Sequence, residues 1–121
     1  MTSRTELKRR YKEAGTPMGV FAVRNTANGK VMVGSAKNLP GALNGARFQL
    51  RLGGHRNRDL QRDWHEHGEA AFAFEVLDEL ERTHPDPHHD YGDDLAALEA
   101  LWLEKLRPYG DAGYHRAKPG G

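Results

Sequence analysis

The chain has no cysteine in its 121 residues, which excludes disulfides, thiolate-held zinc and a cysteine nucleophile together. It also lacks any apolar run near the roughly 18 residues that a membrane-crossing helix needs, so no membrane span is expected. Apolar residues make up only 37% and aromatics 8%, which suits one polar, globular domain with a modest core. The N-terminus has no apolar stretch of the kind that directs secretion, and a cytoplasmic location is expected. No internal repeat is visible.

Net charge is nearly absent too, at +1, but its distribution is lopsided. Residues 1–62 hold 13 Lys/Arg and 3 Asp/Glu, a balance of +10, and residues 63–121 hold 5 and 14, a balance of −9. Such a split predicts a basic face able to meet phosphates, unless folding interleaves the halves and pairs the charges.

Three domains of organisation are expected. Residues 1–17 read as a basic helix and linker, with Ser3 and Glu6 in capping-box spacing over residues 3–13. Residues 18–115 read as the folded domain, and residues 116–121 as a flexible tail rich in Gly and Pro.

Within the domain, Met18–Arg24 and Lys30–Gly34 read as strands facing each other across Asn28-Gly29, a pair that favours a type I′ turn. Leu39–Leu52 reads as a helix with Pro40 in its first turn and Gly53-Gly54 closing it. Leu43, Ala46, Leu50 and Phe48 supply its apolar side. His55–His67 reads as a second helix, with Leu60 and Trp64 at i,i+4 spacing. Ala71–Leu77 alternates, placing Phe72, Phe74 and Val76 on one side of a third strand. Residues 82–92 form an exposed loop, and Asp93–Leu106 carries the stripe Leu95, Leu98, Trp102, Leu106 of a final helix.

Two boundary triplets of the hairpin, Gly19-Val20-Phe21 and Met32-Val33-Gly34, resemble the signature triplets of the GIY-YIG nuclease superfamily with both tyrosines replaced. The resemblance extends in order along the chain. Asn25 to Gly34 is similar to the family's N-x-x-N-G-K-x-Y-x-G hairpin except at Met32, and Ser35-Ala36-Lys37-Asn38-Leu39 to the G-S-x-x-N-L that opens its main helix. His55-x-Asn57-x-x-Leu60-Gln61-x-x-Trp64, Phe72-x-Phe74-Glu75-Val76-Leu77, Leu98-Glu99-x-x-Trp102 and Pro108-Tyr109-Gly110 through Gly113-Tyr114 continue it. It covers about residues 18–115 and is closest in character to short, stand-alone bacterial-type members with a degenerate site.

The resemblance implies an α+β fold: a small three-stranded antiparallel sheet flanked by helices. It also implies hydrolysis of DNA phosphodiesters with one divalent ion, Mg²⁺ or Mn²⁺. Glu99 stands at the family's metal glutamate and borders the inward stripe of its helix, where a lone buried carboxylate is costly unless solvated, paired or metal-bound. His55 stands at a histidine near the family's active site and is expected to orient water or contact phosphate.

The remaining family positions are substituted. Phe21 and Met32 replace the two tyrosines, Ala42 the catalytic arginine, Ala46 a histidine one turn later, and His115 the asparagine of the tail. Losing one preorganised phosphate donor costs roughly 10²–10³ in rate, so conventional catalysis is expected to be weak or lost. Arg47 falls about 140° around its helix from Ala42, and Arg51 about 13 Å along the axis, so neither replaces the missing arginine.

Three readings follow. One is a metal-dependent endonuclease with an altered site. Another is a non-catalytic DNA-binding or DNA-repair accessory domain of low specificity, with Lys30, Lys37, Arg47, Arg51, Arg56, Arg58 and Arg62 as phosphate contacts and a repair protein as a possible partner. The last is a protein-interaction domain whose basic and acidic halves pair. His65 and His67, two apart on a helix, and His84, His88 and His89, in a Pro-rich loop, are not expected to form a metal site.

Overall fold

A computed structural model describes residues 16–116, and the helix expected over residues 3–13 lies outside them. The strands are β1 (Gly19–Asn25), β2 (Val31–Ala36) and β3 (Phe72–Glu79), and the helices are α1 (Leu39–Leu52), α2 (Arg58–His67) and α3 (Gly92–Leu106). The strands form one antiparallel sheet in the order β2-β1-β3, the α+β arrangement expected.

Strand alternation distributes the side chains to two faces. Val23, Met32, Phe72 and Phe74 pack with Ala46 and Leu50 of α1, Leu60 and Trp64 of α2, and Tyr114. Val20, Ala22, Val31 and Val33 face the opposite way, against Leu98, Trp102, Leu103 and Leu106 of α3. A sheet covered on both faces explains why β1 is buried almost throughout. The Trp102 indole N–H ties α3 to the sheet by donating to Asp78 Oδ2 (3.2 Å), and within the sheet Arg24 pairs with Glu75 across β1 and β3 (3.3 Å).

The expected I′ turn at Asn28-Gly29 does not form. Such a turn needs positive φ at both residues, and only Gly29 has it (80°). Five residues, 26–30, bridge the strands instead, with the Gly29 amide donating to Asn25 O (2.8 Å). The asparagine side chains select this longer loop. Asn25 Oδ1 accepts from the Ala27 amide (3.0 Å) and Asn28 Oδ1 from the Lys30 amide (2.9 Å), local bonds that short polar side chains make readily.

The second helix starts at Arg58 rather than His55, because Asn57 Oδ1 caps it by accepting from the Leu60 amide (3.1 Å). That leaves residues 55–57 as loop. The α1 boundaries agree with the sequence reading: Asn38 Oδ1 caps the start by accepting from Gly41 N–H (2.9 Å), and Gly53 ends it in the left-handed region. Phe48, expected on the apolar side of α1, is 63% exposed, while Val76 shares the face of Phe72 and Phe74 as expected but is 47% exposed. Among the described residues no helix is long and apolar enough to cross a membrane.

Candidate active site

An open concavity of about 630 Å³ gathers Phe21, Met32, Ala42, His55 and Glu99, and His115 joins them. These residues come from β1, β2, α1, the 55–57 loop, α3 and the C-terminal segment, so tertiary packing alone assembles the group. Phe21 and Gly34 are paired across β1 and β2, and the Phe21 ring lies over Gly34. A Cβ there would fall 2.7 Å from Phe21 Cζ. On the facing wall α1 presents Ala42, Gly45, Ala46 and Gln49, the i, i+3, i+4, i+7 positions of one helical face. Three small residues make that wall shallow.

His55 is held at both ends. Its amide donates to Gln61 Oε1 (2.9 Å), and its Nδ1 accepts from the Asn57 amide (3.0 Å). The buried Gln61 side chain also donates to Leu50 O (3.0 Å), tying the loop to the end of α1. Burial, and then the charge of Arg56, push the His55 pKa below its ordinary value. The neutral ring with Nδ1 accepting carries its proton on Nε2.

His115 is set by the edge of β2, where the Val33 amide donates to its Nε2 (2.8 Å). Burial lowers its pKa, while the nearby Glu99 charge opposes the shift. Glu99 itself is half-buried and has no ion-pair partner among the described residues.

The C-terminal segment is anchored by a buried network that sequence reasoning missed. Tyr114 donates its hydroxyl hydrogen to Asp63 Oδ2 (2.8 Å), Asn25 Nδ2 donates to the Tyr114 oxygen (3.2 Å), and Asn28 Nδ2 donates to Asp63 Oδ2 (3.2 Å). Burial alone would raise the Asp63 pKa, but the Tyr114 and Asn28 bonds, with the Lys30 and Arg62 charges, hold it below the usual range. Burial, and the Asp63 carboxylate beside it, push the Tyr114 phenol well above its ordinary value. The signal was available: Asp63 sits beside Trp64 and three residues after Leu60, on the inward side of its helix.

The basic candidates do not form one surface. Arg47 lays its guanidinium on the Phe74 ring (4.5 Å), and Arg51 makes a two-pronged pair with Glu69 (2.6 Å for both bonds). Lys37 pairs with Asp90 (2.9 Å) and Arg62 with Asp59 (3.4 Å). Lys30 lies over the Tyr114 ring (5.9 Å). Arg56 lines the concavity, and among the described residues neither Arg56 nor Arg58 has an ion-pair partner. His67, Asp63 and Glu66 bring ligand-type atoms within 4.8 Å of one another on α2, yet Asp63 Oδ2 is already bonded by Tyr114 and Asn28.

No protein-family profile matches the chain. The curated protein "Intron-associated endonuclease 1" of Enterobacteria phage T4 is 36% identical over 88 residues, covering 73% of this chain. The chain spans about a third of that relative's length (32%). Among solved structures, the catalytic domain of homing endonuclease I-TevI superposes with a TM-score of 0.67 and 31% identity, over 84% of this chain and 99% of that domain. A point variant of the same catalytic domain gives 0.62 and 28%, over 76% and 86%. With the hairpin triplets, the sheet order and a near-complete domain in register, the chain belongs to the GIY-YIG nuclease superfamily.

Proposed function

We propose that the chain is a metal-assisted DNA endonuclease of the GIY-YIG type whose altered site hydrolyses phosphodiesters slowly. The observation that carries this reading is the convergence of Glu99, His55 and His115 on one open concavity with positions 21, 32 and 42. Relatives that are endonucleases by name support the same chemistry.

The donor set fits a hard divalent cation. Mg²⁺ commonly takes one or two protein carboxylates and completes its shell with water and substrate phosphate. A half-buried Glu99 at an open concavity, without an ion pair among the described residues, is such a donor. Bound there, Mg²⁺ or Mn²⁺ would supply Lewis-acid polarisation of the phosphoryl oxygens. The chain's own residues do the rest. Neutral His55 offers Nε2–H as a donor to a phosphate oxygen or to the attacking water, and the Arg56 charge lies beside it. His115 holds the C-terminal segment against β2 and keeps that wall of the site closed. Phe21, Met32 and Ala42 supply shape but no phosphate donor, which accounts for a slow rate.

The same three side chains favour a second reading, a DNA-binding accessory domain that does not cut. Nicking of supercoiled and branched DNA with Mg²⁺ or Mn²⁺, beside Glu99→Ala, separates the readings. Slow nicking that Glu99→Ala abolishes is the expected result. Absence of nicking with duplex binding that weakens steeply with salt supports the accessory domain instead. Absence of DNA affinity at low salt removes both and leaves a protein-interaction domain.

A further inference from the structure

A second basin, of about 750 Å³, opens on the other side of His55. Gly53 and Gly54 form one wall, and Arg56, Arg58, Arg62 and His65 converge on it. It meets the first concavity through the residues that line both, His55 and Arg56. Resting on the nuclease reading above, we propose that this basin binds a second backbone phosphate of the DNA strand whose scissile phosphate occupies the first concavity.

The chemistry of the walls supports an anionic polymer. Three guanidinium groups and two imidazoles face a single carboxylate, that of Glu66. Arg62 is partly committed to Asp59 (3.4 Å), but Arg56 and Arg58 have no ion pair among the described residues. Free guanidinium forks match phosphate oxygens in planar, two-pronged geometry. The glycine wall adds access. A Cβ at Gly54 would meet nothing within 4 Å, and one at Gly53 only His65 Nε2 at 3.8 Å, so a sugar-phosphate chain can approach the backbone there.

Hydrogen bonds hold the loop in that shape. The Gly54 amide donates to Gln49 O (2.9 Å), and Gln61 bonds both Leu50 O and the His55 amide. A strand seated across both basins crosses the α1–α2 turn, with His55 and Arg56 between its two phosphates. Arg47, Arg51 and Lys37, engaged by Phe74, Glu69 and Asp90, stand outside that track.

The test is binding of a short fluorescein-labelled duplex to the full chain without divalent ions, by anisotropy over a range of salt. Arg58→Gln, with its fold checked by circular dichroism, is expected to weaken binding about tenfold and to lower the log–log salt slope by about one phosphate contact. Arg58→Lys, which keeps the charge and removes the fork, retains the slope. Arg82→Gln, on the 82–92 loop, leaves affinity and slope at wild-type values. Duplex binding with an unchanged slope in Arg58→Gln overturns the second phosphate site and spares the nuclease reading, as does an equal loss in Arg82→Gln. Loss of slope in Arg58→Lys makes the effect structural and also overturns it. A wild-type chain without salt-dependent binding overturns the nuclease reading itself.

Discussion

The Val33 amide donates to Nε2 of His115 across 2.8 Å, joining residues 82 positions apart. This bond, with the Tyr114 amide on Val31 O (3.1 Å), lays the C-terminal segment along the free edge of β2. An edge strand needs such a cover. Here the cover also brings an imidazole into the concavity.

Burial of two imidazoles at the concavity sets a pH dependence. His115 and His55 both have native pKa values below the ordinary 6.5, chiefly through burial, so the unfolded chain binds more protons in acid. Their contribution to stability is complete above about pH 6.5 and is lost as pH falls below it toward their native values. Urea unfolding at a series of pH values is expected to show stability declining through that window. His115→Asn, which keeps a side-chain acceptor without an imidazole, is expected to flatten the decline.

Tyr114→Phe removes the hydroxyl that donates to Asp63 and accepts from Asn25. Two buried polar groups then lose a partner, at a cost of about 1–3 kcal/mol. Denaturant unfolding should give a lower midpoint with unchanged slope. The Asp63→Asn, Tyr114→Phe double variant is expected to lose less than the sum of the singles, because both remove the same bond.

Gly34→Ala places a methyl 2.7 Å from Phe21 Cζ. Overpacking of that kind costs about 1–3 kcal/mol. Phe21→Leu, by vacating the ring's far end, is expected to restore part of the loss in the double variant. Thermal unfolding of the four proteins measures it.

Placing at three positions the side chains that the family resemblance implies tests the proposed reading of the site. Phe21, Met32 and Ala42 line one concavity, so Phe21→Tyr, Met32→Tyr and Ala42→Arg act on a common site. The triple variant is expected to nick supercoiled DNA faster than the natural chain by roughly 10²-fold or more, the scale of one recovered phosphate donor. Adding Glu99→Ala should abolish the gain.

Much of the fold was legible because its signals are local. Asn38, Pro40 and Gly53 mark the ends of α1, and α3 carries its stripe openly. The misplacements came from side chains whose bonding and packing the periodic patterns do not show. Asn28 reads as half of an I′ turn until Asp63, 35 residues on, takes its amide. Phe48 fits the apolar spacing of α1, but the sheet packs against Ala46 and Leu50 and leaves it 63% exposed. His55 looks like the start of a helix, though its amide and ring are spoken for by Gln61 and Asn57.

From its sequence alone the chain settles the order and type of its elements and the family hairpin, since each rests on residues a few positions apart. Tertiary structure decided which charges stay available. Among the described residues, Arg24, Lys37 and Arg51 of the basic half pair with Glu75, Asp90 and Glu69 of the acidic half, while Arg56 and Arg58 have no ion-pair partner there. Charge in a sequence is a sum, but a phosphate meets only the charges that folding leaves without a partner.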